Sequence, residues 1–189
     1  KTVTISSSAP PHIAKMRLTA ADQRDDIAVE VSRVISFLEG NQTNILVAST
    51  AASLNFSSFS TIAFAPVDYD GNGVSDLMIG DPSYNSNRGR VLMKDNNGSG
   101  AFSDNAQSPA SGNSGERLGS ALLGADLNRD LHDDLVMCGT GINGGTGGCR
   151  VFPGAPRTIL PAGLDVVSQG TLLPGSATLG YGDAPPVAG

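Results

Sequence analysis

The sequence predicts an all-β fold made of repeated sheets of short strands, and three observations predict it. First, 24 Gly and 11 Pro in 189 residues, with no Trp, favour tight turns and short strands over long helices. Second, the apolar runs are brief, rich in β-branched residues and bounded by turn-forming residues. Third, an Asp-rich unit recurs. Asp26, Asp76 and Asp134 are spaced by 50 and 58 residues, and each precedes an apolar strand, a loop and a further strand. A chain of this length suits one domain with a real core. A period of this size with several short strands suits a propeller blade, a four-stranded sheet packed against its neighbours. The β-branched, glycine-punctuated pattern excludes a solenoid of helix pairs.

Taken in order, Thr2-Val-Thr-Ile5 alternates as a short strand, and Ser6 to Pro11 is a turn-rich link. His12 to Leu18 forms the next strand. Ile27 to Val31 and Val34 to Leu38 read as two strands parted by a tight Ser32-Arg33 turn. Ile27, Val31, Val34 or Ile35, and Leu38 would also suit one helical face; the crowding of β-branched residues favours strands. Glu39 to Gln42 is a turn, Ile45 to Val47 a strand, and Ser49 to Ser60 a polar loop. Leu77 to Gly80 is a buried strand, Asp81 to Gly89 a loop, and Arg90 to Met93 a strand. Asp95 to Gly100 is a turn and Ala106 to Gly115 a loop. Leu135 to Met137 and Cys149 to Phe152 are strands closed by Pro153-Gly154, and Leu164 to Val167 is an outer strand.

The chemistry lies in the turn before each buried strand. Asp68-Tyr-Asp70-Gly-Asn72-Gly73-Val74-Ser-Asp76 places side-chain oxygens at positions 1, 3, 5 and 9, with the Val74 backbone carbonyl at position 7. Asp126, Asn128, Asp130 and Asp134 repeat the pattern, with the His132 carbonyl at position 7 and its side chain turned outward. Three carboxylates and one amide per loop suit Ca²⁺, which takes six to eight oxygens in flexible geometry; Mg²⁺ demands a stricter octahedron and ranks second. Two ions are expected. An EF-hand is excluded, because position 12 is Ile79 or Met137 instead of a bidentate Glu and both flanks read as strands. The plainer alternative is an Asp-rich surface turn without metal. Leu131 replaces glycine at position 6 of the later loop, where a positive φ would cost on the order of 1 kcal/mol. In the first copy, counting back from Asp26 leaves Asp22 at position 5 but Leu18 and Ala20 at positions 1 and 3. That loop is expected to keep its shape and bind calcium poorly or not at all.

Asp-x-Asp-x-Asn-Gly-x-x-Asp-Leu at Asp68 to Leu77, Ile79-Gly-Asp-Pro82, and Glu116-Arg-Leu118-Gly119-Ser-Ala leading into Asp126 resemble the FG-GAP repeat. The resemblance runs from about Pro11 onward, over repeats at about 11–60, 61–115 and 116–175 and the start of another at 176–189. It implies blades of an integrin α-subunit-like β-propeller. It also implies calcium ligation by Asp68, Asp70, Asn72, Val74 and Asp76, and by Asp126, Asn128, Asp130, His132 and Asp134. Three blades leave the ring incomplete, since propellers typically have four to eight. Leu179-Gly180-Tyr-Gly matches Leu118-Gly119-Ser-Ala after 61 residues, so the chain is expected to stop in mid-repeat. Further chain or a partner chain would supply the remaining blades.

The function this implies is a non-enzymatic calcium-binding module for protein or glycan recognition, secreted or at the cell surface. The alternatives are a structural subunit of an extracellular assembly or filament, and the non-catalytic propeller of a larger secreted enzyme. Net charge is −6, which argues against nucleic-acid binding. No apolar run is long enough to span a membrane, and since no signal peptide precedes Lys1, a secreted protein is expected here in mature or trimmed form. His12 and His132 are the only histidines, and the Ser-rich tracts contain no nucleophile elbow, so no catalytic constellation is expected. Cys138 and Cys149 could face each other across a hairpin as a disulfide or stay as a free buried pair; no nearby His or Cys completes a zinc site. Asn41-Gln-Thr43, Asn55-Phe-Ser57 and Asn97-Gly-Ser99 match the glycosylation acceptor pattern.

Overall fold

A computed structural model describes residues 10–42, 45–49, 51–60, 62–104, 110–154 and 171–174. The strands expected at Thr2–Ile5 and Leu164–Val167, and the repeat expected from 176, lie outside these residues, as does Thr43 of the first sequon.

Three antiparallel sheets follow one another along the chain. Sheet 1 has the order β1 (His12–Met16), β2 (Asp26–Val31), β3 (Val34–Asn41), β4 (Ile45–Ala48), with β5 (Leu54–Asn55) also paired to β3. Sheet 2 begins with β6 (Ala63–Val67), β7 (Asp76–Asp81) and β8 (Arg90–Asn96); β9 (Phe102–Asp104) and β10 (Ala110–Ser111) both pair with β8. Sheet 3 is β11 (Leu118–Ala125), β12 (Asp134–Gly139), β13 (Gly148–Phe152) and β14 (Thr171–Pro174). The helical reading of Ile27 to Leu38 is therefore wrong. Ser32 and Arg33 take φ of 51° and 68°, the double positive φ of a two-residue hairpin turn. In place of a turn at Glu39 to Gln42, β3 continues through Asn41. The loops read at Ser49 to Ser60 and Ala106 to Gly115 hold the two-residue strands β5 and β10. The loop at Asp81 to Gly89 contains a left-handed turn in which Asn85, Ser86 and Asn87 take φ of 45°, 57° and 65°.

The sheets stack face to face because each central strand is apolar on both sides. In β7, Leu77 and Ile79 pack toward sheet 1 with Ile35, Phe37 and Phe56. Met78 packs the other way, with Leu118, Leu122, Leu135 and Met137 of sheet 3. Alternation along one strand thus feeds two cores. Sheets 2 and 3 meet backbone to backbone at Gly80 and Gly119. A Cβ at Gly80 would lie 2.1 Å from the Gly119 carbonyl oxygen, so only glycine permits this approach.

Cys138 and Cys149 are opposite one another in the β12–β13 register and form a disulfide. The pair is buried with Ala121 and Val136 on the face of sheet 3 that points away from sheet 2.

Candidate metal centre

The Asp-rich loops join the first strand of each sheet to the second. Register makes them comparable: Met16 pairs with Asp26, Val67 with Asp76 and Ala125 with Asp134. Arg17, Asp68 and Asp126 are therefore equivalent first residues. The first loop is one residue longer than the others, so the count back from Asp26 to Leu18 was out by one. A guanidinium-bearing residue stands where the other two loops have carboxylates.

In the second loop, Asp68 Oδ2 accepts from the Gly73 N–H at 3.0 Å, Asp70 Oδ1 from Asn72 at 3.2 Å, and Asn72 Oδ1 from Val74 at 2.9 Å. These bonds curl the backbone inward, and Gly71 and Gly73 supply the φ of +69° and +86° that the curl requires. Asp68 Oδ1 is buried and has no hydrogen-bond partner. Burial pushes the Asp68 carboxyl up, and the charges of Asp133 and Asp70 push the same way. Burial likewise pushes the neighbouring Tyr69 hydroxyl up to about 12, with the Asp134 charge adding to it.

The third loop has the same path. Asp126 Oδ1 accepts from the N–H groups of Arg129 and Asp130 at 2.6 and 3.1 Å, and its Oδ2 from Leu131 at 3.1 Å. Asn128 Oδ1 accepts from Asp130, and Asp130 Oδ1 from His132, both at 2.9 Å. The His132 N–H and the Asn128 amide hold the exposed Asp130 carboxyl below the usual range. Arg129 and Leu131 adopt φ of 65° and 72° where the second loop has glycines. Leu131 thus takes the positive φ its position demands.

Position 9 does something the sequence did not disclose. Asp26 Oδ2 accepts from the Leu18 N–H at 2.7 Å and its Oδ1 from Gly40 at 2.8 Å. Asp134 Oδ2 accepts from Leu127 and its Oδ1 from Gly154, both at 3.0 Å. Asp76 Oδ1 accepts from Asn96 at 2.8 Å. All three carboxylates are buried. Asp26 and Asp134 each tie the start of the loop to the end of the third strand, and Asp76 holds the same strand end.

Position 8 joins one sheet to the next. The Ser75 N–H donates to the Arg17 carbonyl at 2.8 Å, and the Arg17 N–H donates back to Ser75 Oγ at 3.0 Å. The Asp133 N–H donates to the Asp68 carbonyl at 2.9 Å, and the Asp68 N–H to Asp133 Oδ2 at 2.9 Å. Beside this latch, the His132 ring lies over Gly71. A Cβ on Gly71 would sit 2.3 Å from His132 Nδ1, which is buried without a partner. The expectation of an outward His132 side chain is therefore wrong: the ring is held against the neighbouring loop.

Asn96 was also missed. Its amide donates to the carbonyls of Leu18 at 2.8 Å and Ser75 at 3.1 Å, while its Oδ1 accepts from Gly98. An Asn inside the run Asp95-Asn96-Asn97 carries no mark that sets it apart from its neighbours. Asp133 carried a faint one, since it fills the place between two expected ligands.

Beneath the loops, Lys15, Arg17, Asp25, Asp68, Ser75 and Asp133 line a cleft formed where the first strands of the three sheets converge. Among the described residues, no three His, Cys, Asp or Glu side chains are gathered into a ready-made cage. The fit of a hard cation rests instead on two features: the oxygen-only donors of the second and third loops, and the unpartnered Asp68 Oδ1. Both suit Ca²⁺. No protein-family profile matches the chain, and no curated protein sequence matches it.

Proposed function

We propose that this chain is a calcium-stabilised segment of an integrin-like FG-GAP β-propeller and serves as a non-enzymatic binding module outside the cell. The observation that carries the reading is the pair of equivalent loops, with side-chain oxygens at the same positions and the same sheet end and one buried carboxylate oxygen left without a partner. Face-to-face stacking of three antiparallel sheets is the arrangement that propeller blades need. A buried disulfide suits an oxidising compartment.

Asp68, Asp70, Asn72, the Val74 carbonyl and Asp76 would hold one ion; Asp126, Asn128, Asp130, the His132 carbonyl and Asp134 would hold the other. Bound calcium would offset the charges of Asp70 and Asp133 that act on the Asp68 carboxyl. The residues themselves curl each loop, join it to the next sheet and shape the cleft below. That mixed-charge cleft is suited to a polar partner, a protein segment or a glycan. Further blades would come from more of the same chain or from a partner chain.

The test is thermal unfolding with Ca²⁺ and with a chelator. At free Ca²⁺ a hundredfold above Kd, an ion bound only to the folded state adds about 2.7 kcal/mol. In a domain of this size that raises Tm by about 5–10 °C. Identical melting curves in Ca²⁺ and chelator would refute the proposal.

A further inference from the structure

We infer that the second and third loops bind their cations with positive coupling, through the latch formed by Asp133 and Asp68. This rests on the calcium reading above and adds to it how one site governs the other.

Asp133 stands between His132 and Asp134, which supply ligands 7 and 9 of the third loop. Its own N–H and carboxylate clasp both backbone groups of Asp68, the first ligand of the second loop, at 2.9 Å each. The His132 ring packs on Gly71, between ligands 3 and 5 of that same loop. A cation drawn into the third loop fixes residues 132–134 and thereby fixes Asp68 and the backbone at Gly71. The second loop then has less ordering left to do, so its affinity rises. Linkage requires the converse to the same degree. Repulsion between two divalent ions opposes this. The Asp133 carboxylate, which accepts from the Asp68 N–H at 2.9 Å, places a negative charge between the two loops and counters it.

The corresponding residue of the second loop shows that the latch does not need a charge. Ser75 clasps Arg17 in the same reciprocal way through a hydroxyl. Asp133→Ser should therefore keep more of the coupling than Asp133→Ala, which retains only the backbone N–H to the Asp68 carbonyl and the His132 packing on Gly71.

Calcium titration calorimetry on the full chain tests this. Asp130→Ala empties the third loop, and Asp70→Ala empties the second; neither residue forms the latch. Each substitution is expected to weaken Ca²⁺ binding at the intact loop by about fivefold or more, by the same factor in both directions. In an Asp133→Ala background, emptying one loop should alter the other by a clearly smaller factor than in wild type, with Asp133→Ser between the two. If wild type binds two ions but each emptied loop leaves the other's Kd within about twofold, the coupling is overturned and the calcium reading stands. Coupling undiminished in Asp133→Ala would overturn the latch as its route. If wild type binds no Ca²⁺, both readings fall together.

Discussion

Asp26→Ala separates a structural carboxylate from a metal ligand, because the first loop has Arg17 where a first ligand would be. Asp26 is 1% exposed, and its two oxygens take the Leu18 and Gly40 N–H groups at 2.7 and 2.8 Å. Truncation leaves both donors unpaired, at about 1–3 kcal/mol each. Relief from burying a charge offsets part of this, so a net loss of about 3 kcal/mol is expected. For a domain of this size the melting temperature should fall by about 6–12 °C. Asp26→Asn keeps one acceptor and turns an amide N–H toward the other donor, and should fall between. Asp25→Ala is the control. Its side chain is 65% exposed and meets Lys15 Nζ at 3.4 Å, a surface pair worth about 0–1 kcal/mol. Circular-dichroism melts in chelator, with the disulfide intact, remove any cation from the comparison. If Asp26→Ala melts within about 2 °C of wild type, or Asp25→Ala falls as far, the tie is not what holds the loop.

The buried Arg150 and the part-buried Glu116 form a two-bond ion pair at 2.7 and 3.0 Å. Burial pushes the Glu116 carboxyl up, but hydrogen bonds from Arg150 and Asn113 outweigh this and leave it below its ordinary value. A depressed folded-state pKa gives stability that is complete above the unfolded value near 4.5 and is lost as pH falls through the lower folded value. Glu116→Gln should thus cost about 2 kcal/mol at pH 7 and less in acid, so urea midpoints for the two proteins should converge as pH falls; a constant gap would refute the pairing. Gly80→Ala should lower stability by about 3 kcal/mol, because its methyl meets the backbone of another sheet and not a side chain that can turn aside; an unchanged urea midpoint would show that the sheets do not approach so closely.

The sequence disclosed the repeat because apolar alternation and turn residues are local signals. Asp76-Leu77-Met78-Ile79 and Asp134-Leu135-Val136-Met137 announce buried strands without any knowledge of what lies on either side. The segment from Ile27 to Leu38 was ambiguous because short apolar runs satisfy periods of both 2 and 3.6; the pairing of Val31 with Val34 resolves it. β5 and β10 are two residues long, too short for alternation to register. The first loop was misaligned because nothing marks its extra residue except the pairing of Met16 with Asp26. His132 was misplaced for a related reason. A loop histidine reads as solvent-facing until the neighbouring sheet brings Gly71 beneath it.

Seen across the three loops, the acidic pattern combines two duties that the sequence merges. Position 9 is Asp in every copy and is buried in every copy, with or without the other ligands. Its bonds to N–H groups explain why Asp26 persists in a loop whose first residue is Arg17. Positions 1, 3 and 5 are the places where donors change, and these are the side chains that curl the second and third loops around oxygen atoms. Position 8 does neither: Ser75 and Asp133 bind backward to the preceding sheet. The proposed cation ligands and the sheet-joining residues therefore occupy interleaved positions of one short turn. On the proposed calcium reading, an ion in the third loop would bear on the second through residue 133, which lies between two of its ligands, and through the His132 ring on Gly71.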